Sequence, residues 1–188
     1  MGQLIVEQII SADGFASDAA GGIDYFTAGG DWSQMEPEQL EMMVSVGAIV
    51  LGAETYRMFS AYWPIADPAI ERVAVPINSL PKHVISSTLE DAPWGDLEPA
   101  TIHPGDGVES VRRLKAHTTG DLIVWGSLTL TEALFAAGEV DRLRLRIIPV
   151  LIGTGRTLAP TVSGQTTLTL IDSRSFPRGH VTLDYRVG

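Results

Sequence analysis

The chain has no cysteine. That excludes disulfides, thiolate zinc sites, iron–sulfur clusters and a cysteine nucleophile. Positive charge is scarce: 13 Lys and Arg stand against 23 Asp and Glu, for a formal net charge of −10. Such a surface repels nucleic-acid backbones and anionic lipids, so neither is expected as a partner. The N-terminus, Met1-Gly2-Gln3-Leu4-Ile5-Val6-Glu7, has no basic region ahead of a long apolar run, so no secretory signal is expected. No uninterrupted apolar stretch reaches the ~20 residues a membrane helix needs. A cytoplasmic protein fits these features. His83, His103, His117 and His180 are scattered, without an i, i+4 pair or an H-E-x-x-H, so no metal site is expected. No G-x-G-x-x-G follows the first strand, and no G-x-x-x-x-G-K-[ST] is present. Spacing alone leaves Ser-His-Asp hydrolysis open, but no G-x-S-x-G elbow supports it.

What is present is an ordinary globular balance, 45% hydrophobic and 19% charged over 188 residues. That length suits one domain spanning residues 1–188, with a core that needs no staples. Gln3 to Ile10 reads as a buried strand ending at the turn Ser11-Ala12-Asp13-Gly14-Phe15. A long Gly-rich loop through Gly21-Gly22 and Gly29-Gly30-Asp31 follows, and its length points to function. Glu36 to Val46 reads as a helix with Gly47 at its C-cap. Ala48 to Leu51 is a short apolar strand broken by Gly52, and Glu54 to Ala61 a helix. Further strands are expected at Lys82–Ser86, Asp121–Trp125 and Arg142–Val150, with helices at Val108–His117 and from Gly126-Ser127 to about Ala137. In the Arg142–Val150 strand, Leu143 and Leu145 face one way and Arg142, Arg144 and Arg146 the other. Thr166–Ile171 and His180–Val187 form an antiparallel pair. The fold class is therefore α/β, with a mostly parallel sheet and an antiparallel C-terminal edge.

Three junctions share one design: a short apolar strand runs into small or hydroxylated residues. They are Leu51-Gly52 to Thr55, Ile85-Ser86-Ser87-Thr88 and Trp125-Gly126-Ser127. Ligands of α/β sheets bind beyond the carboxyl ends of strands. There glycine admits a phosphate, helix N-terminal amides point at it, and hydroxyls donate further bonds. Each junction alone also reads as a plain strand–helix turn. Gly153-Thr154-Gly155 reads first as a turn, and as a phosphate loop only with help from elsewhere. Asp13, Asp24, Asp31, Glu36 and Glu38 are carboxylates near the long loop, most of them solvated or capping. One, buried beside a substrate, would supply a proton.

The motifs have a family counterpart. Ser11-Ala12-Asp13-Gly14-Phe15 resembles an S-x-D-G motif, and Leu51-Gly52-Ala53-Glu54-Thr55-Tyr56 an L-G-R-x-T-Y turn. Asn78-Ser79-Leu80-Pro81-Lys82-His83-Val84-Ile85-Ser86-Ser87-Thr88-Leu89 resembles N-x-x-P-K-x-V-x-S-x-T-L. Trp125-Gly126-Ser127-Leu128-Thr129-Leu130 resembles G-S-x-x-L. Val140 to Gly155 resembles V-D-E-L-x-L followed by P-V-x-x-G-x-G. Together these resemble the C-terminal reductase domain of the bifunctional riboflavin-biosynthesis deaminase-reductase and its stand-alone dihydrofolate-reductase-like relatives. The resemblance implies a three-layer fold, with a central mixed sheet between helices. It implies an NADPH-dependent reductase, NADPH as the cofactor, and a pterin-like or riboflavin-precursor (5-amino-6-ribosylaminouracil-type) substrate. It also implies a homodimer. Carried over by position, Gly52, Ala53 and Thr55 meet cofactor phosphates. Ser86, Ser87 and Thr88 sit near the adenosine ribose and its 2′-phosphate. Gly126, Ser127 and Leu128 cradle the pyrophosphate. The substrate lies between the first strand, the loop and the helix from Glu36, near Asp13 and Trp32.

Departures from the family pattern qualify this. Ala53 replaces the usual arginine and loses a bidentate phosphate donor, Glu54 beside it adds negative charge, and Arg57 stands one turn on as a substitute. Arg142 replaces the usual glutamate of V-D-E-L. Glu36, sixteen residues before Gly52, is the candidate proton donor, or else a carboxylate favoured by the helix dipole. Trp32, Tyr56, Phe59, Tyr62 and Trp63 either stack on a planar substrate or pack the loop. Two other readings remain: a true dihydrofolate reductase, and a non-catalytic nucleotide-binding dimeric protein.

Overall fold

The computed structural model describes residues 2–28, 32–158 and 165–188. Strand β1 (Leu4–Ser11) lies inside the sheet, its sequence apolar on both faces apart from Glu7 and Gln8. β2 (Phe15–Ser17) and helix α1 (Tyr25–Ala28) follow in the long loop. Next come α2 (Glu36–Met43), β3 (Val46–Gly52), α3 (Ala53–Tyr62), α4 (Ala74–Ser79), β4 (Lys82–Ile85) and β5 (Thr101–His103). The second half holds α5 (Gly107–His117), β6 (Asp121–Trp125), α6 (Leu128–Ala136), β7 (Arg142–Ile148), β8 (Arg156–Thr157), β9 (Leu168–Ser175) and β10 (Val181–Val187).

Eight strands form one sheet in the order β5-β4-β3-β6-β1-β7-β10-β9. β1 pairs in parallel with β6 and β7, and β3 with β6 and β4. β10 pairs antiparallel with β7 and β9. Two apolar clusters cover the two faces. One gathers Ile5, Ile49, Leu51, Ile123, Trp94 and Trp125; the other gathers Leu4, Val6, Val50, Val124, Leu134 and Leu143. Alternate residues of β1 thus feed opposite layers, as the strand period requires. β9 is the outer edge of the sheet and leaves Leu168, Leu170 and Ile171 exposed.

The structure corrects several element boundaries. α2 stops at Met43, and Gly47 is no C-cap: it lies inside β3. A Cβ at Gly47 would stand 2.0 Å from the Thr119 carbonyl oxygen, so close backbone approach is what demands glycine there. β5, only three residues long, and α4, six residues with Pro76 in its first turn, have too little periodic sequence to stand out. β7 ends at Ile148, before Pro149, whose missing N–H cannot continue a ladder. Gly29, Gly30 and Asp31 lie outside the described residues.

Candidate active site

The carboxyl ends of β3 and β6 lie side by side, and each runs straight into a helix. Gly52 is the N-cap of α3, and Ser127 the N-cap of α6; neither helix carries a side-chain cap. The first-turn amides of both therefore lack the usual intramolecular acceptor. Two hydroxyls clip the ends together. Ser127 Oγ accepts from the Gly52 amide at 2.7 Å, and Thr55 Oγ1 accepts from the Ser127 amide at 3.1 Å. The two hydroxyl oxygens are 3.1 Å apart. Gly126 and Ser127 both take positive φ, 57° and 53°. For serine this left-handed conformation costs about 1–2 kcal/mol, the kind of strain held at functional sites. A Cβ at Gly126 would sit 3.2 Å from Thr55 Oγ1, and one at Gly52 would sit 3.2 Å from Ser127 Oγ.

A cleft of about 800 Å³ opens over these ends. Residues 52–55 and 126–130 line one side, and Ile85 and Gly107 mark where it reaches β4 and α5. The other side is made by the long loop, through Ala16, Ser17, Gly21, Ile23 and Phe26. Asp18 shapes that loop: its Oδ1 accepts from the Ala20 and Gly22 amides, both at 2.8 Å. β2 ties the loop to β8. The walls are mostly apolar, with Met58, Phe59, Trp63, Ile77 and Trp125, while Glu7, Gln39, Arg146 and Arg156 add polar groups.

Two of the lining residues, Glu7 and Arg146, belong to a buried charge cluster that spans β1, β7, β10 and α2. Glu7 on β1 is 3% exposed. Its Oε1 accepts from Trp125 Nε1 at 2.8 Å and from Gln39 Nε2 at 3.2 Å. Its Oε2 lies 2.8 Å from Arg144 Nε, a charge contact without hydrogen-bond alignment. Arg144 also binds Glu38 and stands 3.9 Å from Asp184, which Arg142 holds. Burial raises the Glu38 pKa, with Glu7 adding to the rise, although Arg144 and Arg146 oppose it. Burial also pulls the Arg146 guanidinium below its usual value, against the pull of Glu7 and Glu38. The arginine face of β7 is therefore interior, and it is tolerated there because carboxylates from three other elements meet it.

The structure brings Gly52, Ala53, Thr55, Gly126, Ser127 and Leu128 together on one cleft wall. Ser86, Ser87 and Thr88 follow Ile85 just beyond it. Ser86 Oγ accepts from the Thr88 and Leu89 amides, and Ser87 Oγ from the Gly105 amide. Asp13, Trp32 and Glu36 are not among the cleft-lining residues. Asp13 accepts from Ser11 Oγ and the Ile152 and Gly153 amides, bonds that lower its pKa, so it ties the first turn to the one after β7. Trp32 stacks behind the wall, its ring 5.2 Å from the Arg146 guanidinium. Glu36 binds Arg72 and the Val73 amide ahead of α4, outside the cleft. Arg57 pairs with Glu54 rather than facing the cleft. Of the aromatic candidates, Phe59 and Trp63 line the cleft, whereas Tyr56 is buried and donates to the Pro93 carbonyl at 2.6 Å. Sequence reasoning missed Glu7, Gln39 and Arg146. The available signal was the Glu7-Gln8 break in an otherwise apolar central strand.

A family model described as "RibD C-terminal domain" matches residues 3–182. The chain belongs to this family. The protein YyaP of Bacillus subtilis (strain 168), itself uncharacterised, is 26% identical over 97% of this chain and 94% of its own length. Among solved structures, a protein of Shewanella sp. PV-4 assigned to riboflavin biosynthesis superposes with a TM-score of 0.79 at 20% identity, covering 99% of each chain. Schistosoma mansoni dihydrofolate reductase superposes with a TM-score of 0.62 at 16% identity, over 100% of this chain and 99% of that one. The fold is thus the dihydrofolate-reductase-like three-layer α/β fold, with the antiparallel C-terminal strands at one edge. Among the described residues, no helix is long and apolar enough to cross a membrane.

Proposed function

We propose that this chain is an NADPH-dependent reductase that delivers a hydride to a pterin-like or riboflavin-precursor-like ring. As a RibD C-terminal-domain protein it is an oxidoreductase. One observation carries the finer reading: two helix N-termini without side-chain caps, α3 and α6, open into the same glycine-edged cleft. Amides and dipoles of that kind suit the pyrophosphate of a dinucleotide. The fit is steric as well. The residues closest to the junction are Gly52 and Gly126, where a Cβ would crowd Ser127 and Thr55.

When bound, a nicotinamide cofactor supplies the hydride, and the protein supplies placement and electrostatics. On this reading the backbone of 52–55 and 126–128 holds the phosphates. Thr55 and Ser127 act mainly on each other, fixing the angle between the two turns. Ser86, Ser87 and Thr88, next to Ile85 at the cleft's end, take the adenosine ribose side. The ring substrate lies between β1, the long loop and α2, over Glu7, Gln39 and Arg146. Trp125 and Phe59, with ring centroids 5.6 Å apart, supply an aromatic wall for it.

Turnover tests this. The purified protein should oxidise NADPH in the presence of an aminouracil or pterin substrate. Loss of nicotinamide absorbance above the substrate-free rate is the expected result. No oxidation with any aminouracil, pterin or dihydrofolate would leave a nucleotide-binding protein without catalysis.

A further inference from the structure

Arg146 is a buried cation without a full set of partners. It is 9% exposed and lines the cleft. Its Nε has no hydrogen-bond partner. Its Nη1 comes no closer than 3.8 Å to Glu7 Oε1, and its guanidinium lies 5.2 Å from the Trp32 ring. An arginine fork matches planar acceptors and is costly to leave unsatisfied in the interior. Gln39 shows the complementary deficit. Its Nε2 donates to the same Glu7 oxygen at 3.2 Å, which fixes the orientation of the amide. Its Oε1 is then buried without a donor. Arg146 Nη1 and Gln39 Nε2 thus converge within 4 Å of one carboxylate oxygen, while a donor and an acceptor on the same two side chains go unused.

We propose that Arg146 and Gln39 are the pair that reads the ring substrate, recognising a lactam or imide edge in which a carbonyl stands beside an N–H. Arg146 takes the carbonyl, and Gln39 Oε1 takes the N–H. Glu7 is the positioning residue: it holds both side chains from behind, and Trp125 Nε1 holds Glu7. This rests on the reductase reading for its location in the cleft and deepens it by naming the edge that is read. A ring whose lactam nitrogen is methylated has no donor for Gln39 and should be rejected. Rejecting an analogue that leaves a buried polar group unpaired is a strong form of discrimination.

The test is calorimetric binding of two probes, 6-aminouracil and 1,3-dimethyl-6-aminouracil, to the full chain and to two variants. Wild type should prefer the N–H ring by at least about tenfold, the scale of one buried hydrogen bond. In Gln39→Leu that preference should collapse, because its acceptor is gone. In Arg146→Met both probes should weaken about tenfold or more while the preference persists. Arg146→Lys, which keeps the charge but loses the fork, covers the case in which the methionine variant does not fold; it should shift in the same direction. Absence of the preference in wild type, its survival in Gln39→Leu, or unchanged affinity in the Arg146 variants would overturn the assignment. NADPH binding is measured separately. If it fails while the probe pattern holds, the cofactor reading falls and the ring-reading pair stands. If NADPH binds and the pattern is absent, the pair falls alone.

Discussion

At the residue scale, the unusual feature is charge in the middle of the sheet. Arg144 is 5% exposed and faces three carboxylates, Glu7, Glu38 and Asp184. A buried ion pair gains little over a well-packed apolar pair, but removing one partner strands the others. Arg144→Met should therefore destabilise the fold by about 3–5 kcal/mol. Chemical denaturation should show this as a lower midpoint with an unchanged slope. A loss under about 1 kcal/mol would mean that the cluster is screened and holds little together. The cluster also explains why this strand carries arginine at all. Each guanidinium on the interior face of β7 answers a carboxylate, and Arg146, at the cleft end, answers Glu7 least completely.

At the element scale, strand ends decide the site. β3 and β6 are short apolar runs whose register sets Val50 opposite Val124, and both stop where glycine begins a turn. Two strands further out, at the β5 edge of the sheet, lies a pH-sensitive contact. His83 on β4 and His103 on β5 stand 3.0 Å apart, Nδ1 to Nε2. Burial, then the neighbouring His103, pulls the His83 pKa from 6.5 down to about 4. Between those values the unfolded chain takes up a proton that the folded chain refuses. Stability present above pH 6.5 is therefore lost as pH falls toward 4. The thermal midpoint should drop through that window in wild type and drop less steeply in His83→Asn. Parallel slopes would show that other groups carry the acid sensitivity.

These elements also show what was legible in the sequence. β1, β3, β6 and β7 were readable because long apolar or alternating runs announce strands. The turn residues Gly52, Gly126 and Ser127 were readable because glycine and hydroxyls at strand ends are sparse and local. Glu36 was harder to place. A carboxylate at a helix start suits both catalysis and capping, and its observed partner, Arg72, stands 36 positions away in the chain. Glu7, Gln39 and Arg146 come from β1, α2 and β7. Their convergence is a product of sheet order, which local pattern does not encode.

At the scale of the whole molecule, a chain of net charge −10 is read as holding an anionic dinucleotide. The long-range field opposes this, but it is screened beyond about 8–10 Å at physiological salt. On the proposed reading, the uncapped N-termini of α3 and α6 lie within that range of the phosphates, where local geometry outweighs net charge. Glu54 is an exposed carboxylate neutralised by Arg57, so its repulsion at the cleft mouth is reduced. The proposed reductase depends on the cleft between these helices binding NADPH. Trp125 lines that cleft and is almost fully buried, so its fluorescence should respond to an occupant. The most direct measurement is a titration of the protein with NADPH, following that fluorescence. A saturable change is expected, with a midpoint within the range of about 1 μM to 1 mM common for enzyme ligands. A flat response up to the upper end of that range would contradict it.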